Sequence, residues 1–188
     1  MSKLSADRAA LVVIDVQEGF RKAVPDFERV ARATATLIQG AEAIGIPIVV
    51  SEQYPQGLGG TAPEVAEHLP EGVEPLEKVC FSACEAEGFD LGGRDQVLVC
   101  GIETHVCVNQ TADDLLGAGV EVHVTADAVA SRTDANKRIG MQKMTRAGAE
   151  VTSVETALFE LLGRAGTDEF KRVQKLILEY APNPEPVG

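Results

Sequence analysis

Short apolar runs without polar interruption recur along this chain, and stretches of helical periodicity separate them. Ala9–Ile14 (Ala-Ala-Leu-Val-Val-Ile) is the first. A strand with one wet face alternates apolar and polar residues. A run with no polar interruption is covered on both faces, as in a parallel sheet sandwiched by helices. Residues 25–44 follow, with Phe27, Val30, Ala31, Leu37, Ile38, Ala41 and Ile44 at helical spacing. Gly45 and Pro47 stop that helix. The pattern then repeats. Strands are predicted at 46–50, 74–79, 97–100, 120–125 and 149–154, the third less apolar and nearer a sheet edge. Helices are predicted for one or two turns at 63–68, briefly to about 91, after 104, at 134–148, at 156–162 and at 168–180. This alternation implies an α/β fold: a three-layer α/β/α sandwich on a six-stranded, mostly parallel sheet. At 188 residues the chain suits a single domain over 1–180. The proline-rich tail 181–188 has too few apolar groups to pack alone.

The charge balance narrows the partners. With 17 basic and 29 acidic residues the net charge is −12, which leaves no basic surplus to neutralise phosphates. Neither nucleic acid nor a membrane is expected as a partner. The first eight residues lack a signal-peptide core, and no apolar run is long enough to span a bilayer, so the expected location is the cytoplasm. Four cysteines (Cys80, Cys84, Cys100, Cys107) and three histidines (His68, His105, His123) show no zinc-ligand spacing.

Crossover connections put all the carboxyl ends of parallel strands on one edge, where α/β folds hold their ligands. Asp15, Lys78 and Cys107 follow the first, third and fourth predicted strands. Taken singly, Asp15 reads as a loop carboxylate and Lys78 as a solvated surface cation. Cys107 lies in the first turn of a helix for which Thr104 is the natural N-cap. Free N–H groups and the helix dipole there favour a thiolate and can hold an oxyanion. An equally weighted reading makes Cys107 a small hydrophobe packed under the helix. Gln17 and Phe20, beside Asp15, suit the lining of a small pocket. The glycine-rich stretch 51–61 suits a lid or a contact, with Tyr54 and Leu58 as its apolar groups. In the fifth strand Val120, Val122 and Val124 face the core and His123 points outward, which removes His123 from catalysis. Asp127, after that strand, reads as a carboxylate that caps a helix or supports the site from behind.

Three motifs at these positions carry a resemblance: Val-Val-Ile-Asp15-Val-Gln17, then Lys78-x-x-Phe81-Ser82-Ala83, then Gly101-Ile102-Glu103-Thr104-His105-Val106-Cys107-Val108. In that order they resemble the isochorismatase-like cysteine hydrolases, over roughly 11–154. Glu52-Gln53-Tyr54-Pro55 with Gly57-Leu58-Gly59 is further similar to the subgroup called isochorismatase domain-containing proteins. The resemblance implies a Rossmann-like hydrolase fold and a triad of Cys107 as nucleophile, Asp15 as base and Lys78 as electrostatic partner. It also implies a cis peptide at Ile102–Glu103 and an oxyanion hole from the N–H groups of Glu103 and Cys107. Nicotinamidases of this family hold a metal through an aspartate and histidines after the second strand. Ser51-Glu52-Gln53-Tyr54 offers no histidine there, so no metal and no cofactor is expected. Isochorismatases proper lack the motif cysteine, which Cys107 supplies. The expected activity is metal-independent hydrolysis of a C–N bond in a small amide, imide or ureido compound through a covalent acyl-enzyme. Phe20, Tyr54, Phe81 and His105, with Gln17, would line its pocket, and a homo-oligomer is expected. Two other classes share these features: a non-hydrolytic thiol protein for redox or binding, with Cys80 and Cys84 as resolving thiols, and an oligomeric scaffold using the helices 156–162 and 168–180.

Overall fold

Six parallel strands form one sheet in the order β3-β2-β1-β4-β5-β6 in the computed structural model, which describes residues 2–180. The tail 181–188 lies outside the described residues. The strands are β1 (Ala9–Ile14), β2 (Ile48–Gln53), β3 (Leu76–Lys78), β4 (Gln96–Ile102), β5 (Glu121–Ala130) and β6 (Glu150–Thr152). Every residue of β1 and β4 is buried, as their uninterrupted apolar runs require. Along β1 the side chains divide between two cores. Leu11 and Val13 pack under α1 (Phe27–Ile44), α6 (Val154–Leu162) and α7 (Asp168–Tyr180). Val12 and Ile14 face the other layer, α4 (Asn109–Gly117) and α5 (Asp134–Ala147). Two one-turn helices, α2 (Pro55–Leu58) and α3 (Pro63–Ala66), complete the seven among the described residues.

Several expectations need correction. β5 continues to Ala130, five residues beyond the predicted end. Its register with β4 jumps from Val99↔Val124 to Gly101↔Val129, so the extra residues bulge and hide the strand period. Asp127 therefore sits within β5, where its carboxylate accepts the Val154 N–H that opens α6 (3.0 Å) and the Tyr180 hydroxyl (3.1 Å). His123 does not point to solvent: it is 4% exposed. Alternation signals a wet face only when that face is uncovered, and both faces of this sheet are covered. The stretch around Cys84 forms only a short turn, Ala83–Glu85, which ends where Ala86 turns extended at φ −69°, ψ 137°. The apolar faces of α6 and α7 are spent within the chain, through Val154, Leu158, Leu161, Val173 and Ile177. Stretch 51–61 is less a loop than expected. β2 runs through Ser51–Gln53, α2 follows, and the Gln17 side chain pins both ends. Its Oε1 accepts the Gln53 N–H (2.7 Å), and its Nε2 donates to Gln53 O (3.0 Å) and Gly59 O (2.7 Å).

Two glycines let the site close up. Gly101 has φ 123°, and a Cβ there would meet the Ile14 carbonyl oxygen at 1.9 Å. β4 thus presses on β1 just where Asp15 leaves the sheet. A Cβ at Gly140 would lie 2.6 Å from the Thr104 carbonyl oxygen, so α5 rests directly on the turn that carries Cys107.

Candidate active site

The register of β2 with β3 pairs Gln53 with Lys78, and that of β1 with β2 pairs Ile14 with Ser51. Asp15 is the residue after β1. These pairings gather Asp15, Ser51, Gln53 and Lys78 at one carboxyl edge. The Asp15 and Lys78 side chains are fully buried, with Lys78 Nζ 2.8 Å from Asp15 Oδ2. Lys78 Nζ also donates to Gln53 Oε1 (2.7 Å) and Phe81 O (3.1 Å), and Ser51 Oγ donates to Asp15 Oδ1 (2.8 Å). A solvated Lys78, the single-residue expectation, is thereby overturned. The edge strand β3 is short, and its last side chain folds over the strand ends, where a buried carboxylate stabilises the ammonium.

Cys107 approaches from β4. A wide helical turn, Thr104–Val108, leads into α4, with the Glu103 carbonyl accepting from Val106 N (3.0 Å) and Val108 N (3.3 Å). Thr104 does not cap it: its buried hydroxyl has no partner among the described residues, and Glu103 precedes the turn. The Ile102–Glu103 peptide is cis, as the resemblance implied. The Glu103 N–H donates to no acceptor among the described residues. Cys107 Sγ lies 4.0 Å from Gln53 Oε1, so one amide oxygen faces both the sulfur and the ammonium.

Burial acts on the thiol against the helix dipole. Burial, first, and the Asp15 carboxylate, both as a charge and as a hydrogen-bond acceptor, push the Cys107 thiol up to about 12, with Lys78 opposing. Desolvation outweighs the dipole here because Cys107 is 4% exposed.

Cys107 opens into a cavity of about 530 Å³, within the range of small-molecule sites. Phe20, Leu58, Phe81 and Val106 give it an apolar wall, and Gln53, Glu103 and Arg132 are its polar groups. Of the pocket residues anticipated from sequence, Phe20 and Phe81 line it. Gln17 is a fully buried clamp behind it. Tyr54 is 54% exposed and its ring lies against Gly57. The His105 Nδ1 is 3.0 Å from Ser131 Oγ, outside the lining. Gln53 and Arg132 were missed. Stretch 51–61 reads as loop, which hides that Gln53 ends a strand. The early predicted end of β5 hides that Arg132 follows one. A larger depression of about 780 Å³ over α1 and α7 holds no cysteine. Among the described residues no group of three or more His, Cys, Asp or Glu side chains is arranged to hold a metal, and no helix is long and apolar enough to cross a membrane.

Comparison with known proteins agrees with this fold. The isochorismatase domain model matches residues 9–156. Isochorismatase domain-containing protein 2A of Mus musculus is 36% identical over 186 residues, 97% of this chain and 89% of that protein. The secreted isochorismatase effector Isc1 of Phytophthora sojae is 39% identical over 187 residues, 96% of this chain and 89% of that protein. Among solved structures, one described as the MAR1 ribonuclease of Caenorhabditis elegans superposes with a TM-score of 0.91 at 38% identity, covering 100% of this chain and 98% of that one. The match over 9–156 and relatives of this identity and coverage show that the chain belongs to the isochorismatase domain family, with the fold of isochorismatase-like hydrolases.

Proposed function

We propose that this chain hydrolyses a C–N bond in a small amide, imide or ureido compound, with Cys107 as nucleophile, Asp15 as base and Lys78 as electrostatic partner. The observation that carries the reading is the fully buried Asp15–Lys78 pair, 2.8 Å apart, behind a cysteine that opens into a cavity. Because the resting thiol holds its proton, the Asp15 carboxylate takes it as Sγ attacks the acyl carbon. The N–H groups of Glu103 and Cys107 hold the resulting oxyanion. Asp15 then passes the proton to the departing nitrogen, and the C–N bond breaks to leave a thioester. Water opens the thioester: Asp15 accepts its proton, the acid leaves, and sulfur regains a proton. Lys78 keeps Asp15 aimed and offsets the negative charge that builds on sulfur. Gln53 orients Lys78 without cancelling its charge, since an amide is neutral.

Phe20 and Phe81 pack the substrate's apolar body. The reaction needs no cofactor and no metal. We place the chain in the cytoplasm as a homo-oligomer acting on a small molecule. The name carried by the C. elegans structure favours a second reading, ribonuclease activity. A chain of net charge −12, with one cation among the cavity's lining residues, is poorly built to hold a polyanion. A screen of amides and ureides, run beside an RNA substrate, tests both. Turnover of a small amide that Cys107→Ala abolishes supports the first reading, and turnover surviving in that variant ends it. Cleavage of RNA that depends on Cys107, with no amide hydrolysed, establishes the second.

A further inference from the structure

We propose that Arg132 forms an anion subsite in the Cys107 cavity, and that the substrate carries a carboxylate beside its scissile C–N bond. This rests on the cavity being the catalytic one. The register Ile102↔Ala130 sets the ends of β4 and β5 side by side. Glu103 follows one and Arg132 lies just beyond the other. The Glu103 carboxylate, 6% exposed, accepts from the Arg132 backbone N–H (2.8 Å) and from Arg132 Nε (3.1 Å). One buried carboxylate thus fixes both the backbone and the side chain of the same arginine.

The clamp engages only one nitrogen of the guanidinium. Arg132 Nη1 and Nη2 donate to no protein group among the described residues, and the side chain is 59% exposed while lining the cavity. An arginine that served only to close an ion pair would turn its fork onto the carboxylate, the preferred bidentate geometry. Here the outer nitrogens are left for a ligand. Two parallel N–H donors match the two oxygens of a carboxylate. The surrounding wall of Phe20, Leu58, Phe81 and Val106 has little polar competition to offer, which strengthens such a contact. Glu103 adds selectivity. Its charge offsets that of Arg132, so recognition depends on the directed donors more than on bulk attraction. It also repels an anion that sits any closer to the sulfur. The charged end of the ligand therefore stays at Arg132, and the neutral acyl carbon is left for Cys107. The cavity volume of about 530 Å³ suits a molecule carrying both groups.

The test compares two alkylating agents of similar size, iodoacetate and iodoacetamide, on the full chain at one alkaline pH. Modification of Cys107 is followed by peptide mass. Iodoacetamide is the neutral reference for thiol reactivity. The expected iodoacetate-to-iodoacetamide rate ratio is about tenfold higher in wild type than in Arg132→Gln, the change residing in the iodoacetate rate. Arg132→Lys, which keeps the charge and loses the fork, should fall between them. Propionate should slow alkylation of wild type and not of Arg132→Gln, and propionamide should discriminate less. An unchanged ratio, or both rates falling together, overturns the subsite. If Arg132→Gln fails to fold, the propionate and propionamide comparison on wild type still decides: equal protection by both overturns the subsite. Alkylation needs no turnover. A chain that hydrolyses no amide and still shows the ratio keeps the subsite and loses the hydrolase reading. Amide hydrolysis with no ratio loses the subsite alone.

Discussion

Lys78→Met should be among the most destabilising single substitutions in the chain. The variant leaves the Asp15 carboxylate fully buried with only the Ser51 hydroxyl and the Cys107 thiol, both neutral, as side-chain donors. Coulomb's law for unit charges 2.8 Å apart gives about 6 kcal/mol at an effective dielectric constant near 20. Breaking a buried pair by removing one partner costs roughly 3–5 kcal/mol. Asp15→Asn should cost less. The ammonium it strands keeps acceptors at Gln53 Oε1, Phe81 O and Cys80 O. The double variant Asp15→Asn/Lys78→Met should recover much of the loss, because no charge is left unpaired. Urea unfolding of all four proteins at pH 7 closes the cycle. A coupling energy of about 3 kcal/mol or more is expected. Coupling below about 1 kcal/mol, the range of exposed pairs, would refute a dry, mutually dependent pair.

Three further outcomes follow from burial and contact. The Cys107 and Cys100 thiols are raised from near 9 to about 12, chiefly by burial. The unfolded chain loses these protons first, so stability should fall between about pH 9 and 12, by up to about 1.4 kcal/mol per pH unit for each thiol. In Cys107→Ser that alkaline slope, read from urea midpoints, should be shallower by one thiol's share; an unchanged slope contradicts the assignment. His123 is lowered by burial, so its contribution is present above the usual histidine range and is lost as pH falls. His123→Leu should therefore lose less stability than wild type between pH 7 and 5, and an equal loss contradicts this. Gly140→Ala should cost about 1–3 kcal/mol and slow alkylation of Cys107, because its Cβ meets the Thr104 carbonyl. Gly117→Ala, with open space around it, is the control that should do neither.

Much of the architecture can be read from uninterrupted apolar runs, because a strand buried on both faces tolerates little else. β1 and β4 are such strands, and knowing where they end is enough to bring Asp15 and Cys107 to one edge. The ambiguous places share a physical cause: side-chain direction is set by packing, not by local pattern. Tyr54 looks like a pocket aromatic, but at φ 39° the chain turns its ring onto Gly57. Gln17 looks like a ligand-binding amide, and its hydrogen bonds are instead spent pinning Gln53 and Gly59. Lys78 looks solvated until Asp15 is seen beside it. Arg132 was hidden by the register jump in β5. The two readings of Cys107, thiolate or buried thiol, stay evenly balanced in the sequence for a related reason. The dipole can be read from a sequence, but the extent of desolvation around one sulfur cannot.

The central claim is that Cys107 carries the acyl group between C–N cleavage and hydrolysis. The most direct measurement is intact mass of acid-quenched enzyme, taken within a turnover of a hydrolysed amide, with peptide mapping of any adduct. The mass added should equal the acyl group and map to Cys107. An enzyme that turns over its amide while Cys107 stays unmodified, or that carries the adduct on another residue, would contradict it.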